Sequence, residues 1–140
     1  MENSVEVGSR NQIQELAMQI MYDFLIQQTI NETIDVEKTI SDLSKMPYED
    51  CDLFLKEVLI KSLKHENEII ENLSSNLVNW KFSRLNTCVQ AILIIAYCNY
   101  FYCDNKEKAI IINVAVKLAK KYADKDEYKF VNAILDKTLI

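Results

Sequence analysis

The segment from Asn86 to Cys103, NTCVQAILIIAYCNYFYC, runs for 18 residues without a charged side chain. A helix on a protein surface has one apolar stripe and one polar face, so a helix without a charged face is predicted to be buried on most sides. A transmembrane span is the alternative, since it needs about 20 mainly apolar residues. Thr87, Gln90 and Asn99 would be unfavourable in lipid, and the pattern therefore favours a central core helix.

The composition indicates that the rest of the chain is also helical. The chain has 140 residues, of which 49% are hydrophobic, and this suits one domain with a single core. Sheet proteins draw on glycine and proline for their turns, but this chain has only Gly8 and Pro47. We expect an all-α protein, with residues 1–8 as a disordered tail and residues 9–140 as one helical domain.

Apolar periodicity and capping residues predict seven helices. The first begins at Ser9 and ends near Gln28, the second opens at Asp35 and the third starts near Pro47. A break around Lys64-His65 separates the third helix from the fourth, and the central segment is the fifth. The sixth has Ile111 on its inward face, and Asp126 is placed to cap the last. In the third helix, five residues are predicted to face inward: Leu53, Phe54, Val58, Leu59 and Ser62.

Few residues suggest catalysis or a cofactor. Cys51, Cys88, Cys98 and Cys103 form no CxxC pair, and His65 is the only histidine, which disfavours a zinc site and a disulfide framework. No glycine-rich phosphate loop is present. The N-terminus is acidic and has no apolar core, unlike a signal peptide. We therefore expect a non-enzymatic protein of the reducing cytoplasm, without cofactor, metal or membrane contact.

Charge is distributed unevenly along the chain. Residues 1–105 contain 8 Lys/Arg and 16 Asp/Glu, whereas residues 106–140 contain 8 Lys and 5 Asp/Glu. Lys117, Lys120 and Lys121 lie close together on the predicted sixth helix, and Lys125 and Lys129 continue the positive charge. Such a ridge can bind the phosphates of a nucleic acid, or it can be a solvated helix face.

Four short patterns resemble those of the NusB family. They are Glu15-x-Ala17-x-Gln19-x2-Tyr22, Trp80-x3-Arg84-Leu85 followed by AILIIAYCNY, Ile112-Asn113-x-Ala115 continuing to Lys120, and Lys129-Phe130-Val131-Asn132 continuing to Asp136. Their order and spacing resemble the family over residues 9–138. Residues 29–75 resemble it only in their helical pattern.

The resemblance implies a fold of seven helices in two small bundles that share the central buried helix. It also implies a transcription antitermination factor that pairs with the ribosomal protein NusE. Together they would bind single-stranded boxA-type RNA in nascent ribosomal RNA, within an RNA polymerase antitermination complex. The oligomeric state varies in this family, and the sequence does not decide whether this chain forms a homodimer.

The resemblance implies that Arg10 and Tyr22 belong to the RNA or partner surface, and that Asp126, Lys129, Phe130 and Asn132 lie near the RNA and NusE contacts. The alternatives are that Tyr22 and Phe130 only pack and that Asp126 only caps its helix. Together with Gln14, which stands where the family has basic residues, and with the lysine ridge, these residues form two predicted groups. The RNA-binding group is Arg10, Gln14, Tyr22, Lys117, Lys120, Lys121 and Lys129, and the partner-binding group is Asp126, Phe130 and Asn132.

The chain departs from the family at its first helix, where the family has an arginine-rich run. Only Arg10 remains, with Asn11, Gln12 and Gln14 beside it. The alternative is therefore a protein-interaction module of the same fold with weakened or lost RNA binding. A third hypothesis, the domain that precedes RNA methyltransferases, would need an enzyme part that these 140 residues do not contain.

Overall fold

The computed structural model describes residues 10–30, 33–104 and 107–140. Within these ranges the chain forms seven α-helices, two short 3₁₀ helices and no strand. The α-helices are α1 (Arg10–Ile30), α2 (Val36–Ser44), α3 (Leu53–Lys64), α4 (Glu66–Ser74), α5 (Thr87–Phe101), α6 (Lys108–Tyr122) and α7 (Glu127–Thr138). The all-α prediction is confirmed; the predicted tail and the Ser9 cap lie outside the described residues.

Helix α5 is the centre of the fold. It contacts five other helices: α1, α3, α4, α6 and α7. Every residue from Ala91 to Asn99 is buried. The helix starts where the Asn86 side chain accepts a hydrogen bond from the Cys88 backbone N–H at 2.8 Å. Burial on all sides explains the absence of charge in this segment, and no described helix is long and apolar enough to cross a membrane.

Asn99 is the polar exception inside this core. Its side chain is fully buried on α5, and neither its amide nitrogen nor its carbonyl oxygen has a hydrogen-bond partner among the described residues. Burying polar groups without partners costs free energy, so Asn99 is expected to weaken the core.

The start of α3 differs from the sequence prediction. Pro47 precedes only a 3₁₀ turn, Tyr48–Asp50, and α3 begins at Leu53 because the Asp52 side chain accepts the Leu55 N–H at 2.9 Å. The inward face shifts accordingly. Leu53, predicted to point inward, is 80% exposed, whereas Leu55 is 1% exposed.

Two other local predictions are confirmed. Asp35 caps α2, because its side chain accepts the Lys38 N–H. His65 separates α3 from α4 and stacks on the ring of Tyr102 with 4.1 Å between the ring centroids. The four cysteines are all buried and unpaired.

Candidate nucleic-acid interface

The C-terminal end of α6 is fixed to α1 by a polar cluster around Glu15. The Glu15 carboxylate accepts hydrogen bonds from Lys121 Nζ at 2.6 Å and from the Tyr122 hydroxyl. Gln19, one turn further along α1, donates to the same hydroxyl at 2.9 Å. The bond from Lys121, followed by that from Tyr122, lowers the pKa of Glu15. The cluster therefore holds Tyr122 beside the exposed face of α1.

Next to this cluster is a hollow with two exposed tyrosines, which we call the tyrosine hollow. Its volume is about 390 Å³, and Tyr22 and Tyr122 on its walls are 42% and 39% exposed. The remaining lining residues are Met18, Gln19, Asn86 and Cys88. Tyr22 is seven residues from Glu15, which places both on one face of α1. Two accessible aromatic rings around a polar opening can hold flat, unpaired bases.

A second hollow adjoins the first, and we call it the phenylalanine hollow. It has a volume of about 310 Å³, and its lining includes Asn86, which also lines the tyrosine hollow. The other lining residues are Trp80, Arg84, Leu85, Lys125, Asp126, Glu127 and Phe130. The two hollows therefore form one continuous surface built from α1, α6, α7 and the 3₁₀ turn before α5.

The loop between α6 and α7 corrects one prediction. Asp126 stands at the cap position of α7, but its φ is 71° and its side chain accepts no backbone N–H of the helix. Instead, the Glu127 carboxylate accepts the backbone N–H of Asp124 at 3.0 Å. Asp126 is thereby left in the wall of the phenylalanine hollow, 3.8 Å from Lys129 Nζ.

The predicted lysine ridge is divided in two by its contacts. Lys120 Nζ lies 4.7 Å from the centre of the Tyr128 ring, and Lys129 Nζ lies 6.0 Å from it, so these two lysines flank one aromatic ring. Lys121 instead forms the ion pair with Glu15. Lys117 is exposed one turn before Lys121. Two of the four predicted lysines thus lie close to the start of α7.

Two other predicted RNA-binding residues lie elsewhere. Gln14 is only 4% exposed and lines a small pocket with Met18 and Val114, so its burial argues against the predicted contact with RNA. Arg10 is exposed, but its guanidinium stacks over the Phe54 ring of α3 at 4.0 Å. Arg10 is 12 residues from Tyr22, or about 18 Å along the axis of α1.

The structure adds residues that were not predicted as site residues. Trp80, Arg84, Asn86 and Tyr122 line the hollows, and of these only Trp80 and Arg84 belong to one of the four family patterns. An exposed tryptophan beside an arginine is the signal that could have indicated them. Of the partner-binding group, Phe130 lines the phenylalanine hollow and Asn132 is exposed on α7.

The sequence matches a known protein family over nearly all of its length. The family model described as "NusB family" matches residues 11–139. The chain belongs to the NusB family. A relative from Macrococcus caseolyticus, named transcription antitermination protein NusB, is 33% identical over 131 residues and covers 94% of this chain and 96% of its own.

Solved NusB structures share the fold. NusB from T. maritima has a TM-score of 0.79 at 18% identity, covering 94% of this chain and 90% of its own. A crystal structure of the antitermination factors NusB and NusE in complex with dsRNA has a TM-score of 0.78 at 18% identity, covering 93% and 95%. The predicted seven-helix NusB-like architecture is therefore confirmed. Among the described ranges of this NusB-family chain, no group of His, Cys, Asp and Glu side chains is arranged to hold a metal.

Proposed function

We propose that this chain is a transcription antitermination factor that binds RNA together with the ribosomal protein NusE. The RNA would be a boxA-type element in nascent ribosomal RNA, and the complex would act on RNA polymerase in the cytoplasm. Family membership supports the proposal, as does the similarity to a NusB that was crystallised with NusE and dsRNA. The observation that carries it is the continuous surface formed by the tyrosine and phenylalanine hollows.

The aromatic groups on this surface suit unpaired bases. Single-stranded RNA is bound mainly by stacking of its bases on aromatic side chains, with hydrogen bonds to the exposed base edges. Tyr22, Tyr122 and Phe130 supply the rings. Asn86, between the two hollows, supplies the donors of its side-chain NH₂, since its oxygen already accepts the Cys88 N–H. We assign the bases to these four residues.

The lysines at the edge of this surface suit phosphates. Lys120 and Lys129 lie around Tyr128, and Lys117 continues the charge along α6. This positive charge is local, because the whole chain has a net charge of −5. Lys121 is expected to contribute less than the others, since Glu15 already neutralises it.

The partner protein is assigned to the acidic edge of the phenylalanine hollow. Asp126 and Glu127 line this edge, and their carboxylates would repel phosphate while attracting a basic protein surface. The exposed Asn132 continues this edge along α7, whereas Phe130, predicted as a partner-binding residue, is assigned here to the RNA bases. NusE would thus sit beside the RNA rather than on the lysines.

The alternative role, a protein-interaction module that no longer binds RNA, is favoured by one observation. Three of the predicted cations are already engaged: Arg10 by the Phe54 ring, Lys121 by Glu15, and Lys129 by Asp126 at 3.8 Å. The RNA affinity of the isolated chain is therefore expected to be modest, with NusE needed for tight binding.

Fluorescence anisotropy of a labelled boxA-type RNA tests the proposal, with a scrambled RNA as reference. The protein is titrated with and without NusE at two salt concentrations. Binding that prefers boxA, strengthens with NusE and weakens with salt supports the proposed function. A stable complex with NusE that ignores RNA would establish the protein-interaction module instead.

Charge neutralisation localises the RNA. The triple variant Lys117→Gln, Lys120→Gln, Lys121→Gln is expected to bind RNA more weakly and with a flatter salt dependence while retaining its helix content. The matched control neutralises Lys38, Lys45 and Lys64, which are exposed on the side of α2 and α3. Equal losses in the two triple variants would indicate a nonspecific charge effect and would remove the α6 lysines from the site.

A further inference from the structure

Trp80 is a large aromatic side chain that the structure leaves 59% exposed. It lies in a third hollow of about 510 Å³, lined by Asn79, Trp80, Lys81 and Arg84, which we call the tryptophan hollow. We propose that Trp80 stacks on one further unpaired nucleobase of the bound RNA, while Lys81 and Arg84 contact the phosphates on either side of it. This inference rests on the proposed RNA-binding function and extends the RNA path beyond α7.

The backbone around Trp80 is anchored on both sides. Before it, the Leu77 N–H donates to the Ser74 carbonyl at 3.0 Å, and Leu77 packs against the core. After it, Phe82 is 4% exposed and begins a 3₁₀ turn, Phe82–Arg84. Trp80 is thus presented to solvent by a segment whose two ends are fixed.

The turn geometry supports this presentation. Asn79 has a φ of 66°, in the left-handed region that asparagine tolerates better than most residues. The Arg84 N–H then donates to the Lys81 carbonyl at 3.0 Å, closing the next turn. A backbone held in this way loses little conformational freedom when a base stacks on the Trp80 ring.

The chemistry of the lining favours RNA over a protein partner. The tryptophan hollow contains two cations, one amide and one indole, and no carboxylate. An indole stacks on any base, and guanidinium and ammonium groups bind phosphate. The amide of Asn79 can meet a base edge as donor and acceptor. On a chain with a net charge of −5, a hollow lined only by cations and neutral groups is complementary to an anionic ligand.

The tryptophan hollow also continues the surface already assigned to RNA. Trp80 and Arg84 line both this hollow and the phenylalanine hollow, which in turn shares Asn86 with the tyrosine hollow. The three hollows follow one another without a gap in their linings. A single strand that occupies the first two would reach the third at its end.

Intrinsic fluorescence gives a direct test, because Trp80 is the only tryptophan in the chain. Stacking of a base on the indole is expected to quench its emission, and quenching should saturate together with the anisotropy of a labelled boxA-type RNA. For titrations with NusE, the same complex is formed with the Trp80→Phe variant. Its emission does not come from Trp80 and is subtracted as background. Quenching by the RNA, with or without NusE, is the expected result.

Three variants separate stacking from other roles of the side chain. Trp80→Ala is expected to weaken RNA binding about 10-fold, since stacking contributes substantially per base. Trp80→Phe should retain most of the affinity, whereas Trp80→Leu, which keeps apolar area without an aromatic face, should resemble Trp80→Ala. Ile110→Ala, which truncates a side chain that is 51% exposed near the start of α6, is the control and should bind like the unmodified chain.

The outcomes distinguish this inference from the proposed function. RNA binding seen by anisotropy, with unchanged indole emission and full affinity in Trp80→Ala, would overturn the inference and leave the proposed function intact. An emission change on adding NusE alone, with none from RNA, would assign the hollow to the protein partner and also overturn it. Absence of RNA binding by either signal, with and without NusE, would refute the proposed function itself.

Discussion

Glu15 offers a test in which stability and RNA binding should change in opposite directions. Its carboxylate accepts hydrogen bonds from Lys121 and Tyr122, and it is the anion that neutralises Lys121 at the edge of the tyrosine hollow. Glu15→Gln keeps the size of the side chain but removes its charge. The substitution should weaken the contact between α1 and α6 and release Lys121 for a phosphate.

The size of the binding effect follows from counterion release. One additional phosphate contact on a single strand steepens the dependence of log K on log salt by about 0.7. The RNA affinity at about 50 mM salt is divided by the RNA affinity at about 200 mM salt for each protein. This ratio should be about 2.6-fold larger for Glu15→Gln than for the unmodified chain. Anisotropy titrations at the two salt concentrations measure this ratio, with the RNA affinity of the variant higher at the lower salt.

The effect on stability depends on pH with a defined sign. Hydrogen bonds from Lys121, and then from Tyr122, lower the folded-state pKa of Glu15 below its ordinary value of 4.5. Its contribution to stability is therefore present above pH 4.5 and is lost as the pH falls through the lowered folded-state pKa. Urea unfolding should show Glu15→Gln to be less stable at neutral pH, and the difference should shrink in acid.

A matched control is Glu57→Gln on α3, whose carboxylate pairs with Lys61 at 2.7 Å outside the proposed RNA surface. This variant should leave the salt dependence of RNA binding unchanged. Two results would contradict the release of Lys121 to a phosphate. One is weaker RNA binding by Glu15→Gln at low salt, and the other is an equal change of salt dependence in both variants.

Three further predictions concern the core, a helix end and the tyrosine hollow. Asn99→Leu should raise the free energy of unfolding by about 1–3 kcal/mol, because it replaces buried polar groups that lack partners. Urea unfolding measures the change. A loss of stability would mean that Asn99 has a necessary partner. Asp35→Ala removes the acceptor of the Lys38 N–H and should cost about 1 kcal/mol in the same assay while leaving RNA binding unchanged. Tyr22→Ala should weaken RNA binding about 10-fold, whereas Tyr22→Phe should bind nearly normally, since the ring and not the hydroxyl stacks; equal losses in both variants would show that the hydroxyl is the contact.

Predictions that rest on local pattern succeeded where one physical requirement dominated. The uncharged segment required burial on all sides, and α5 is buried by five other helices. At α3 two local signals competed. Pro47 suits a first helical turn, but Asp52 can cap the backbone N–H of Leu55, and the cap decides where the helix begins.

The site was harder to predict because it depends on contacts between distant parts of the chain. Gln14 is polar but buried, since helix packing decides which face of α1 turns inward. Lys121 is paired with Glu15, which lies 106 residues earlier, and no local pattern indicates that pair. The exposure of Trp80 likewise follows from the burial of its neighbour Phe82 rather than from its own residue type.

Photo-crosslinking of a boxA-type RNA to the protein in the presence of NusE, followed by mass spectrometry of the linked peptides, locates the RNA on the protein surface. Links to Tyr22, Tyr122 and Phe130, which line the tyrosine and phenylalanine hollows, are expected. Links confined to α2 and α3, with none to these three residues, would contradict the assignment of this surface to RNA.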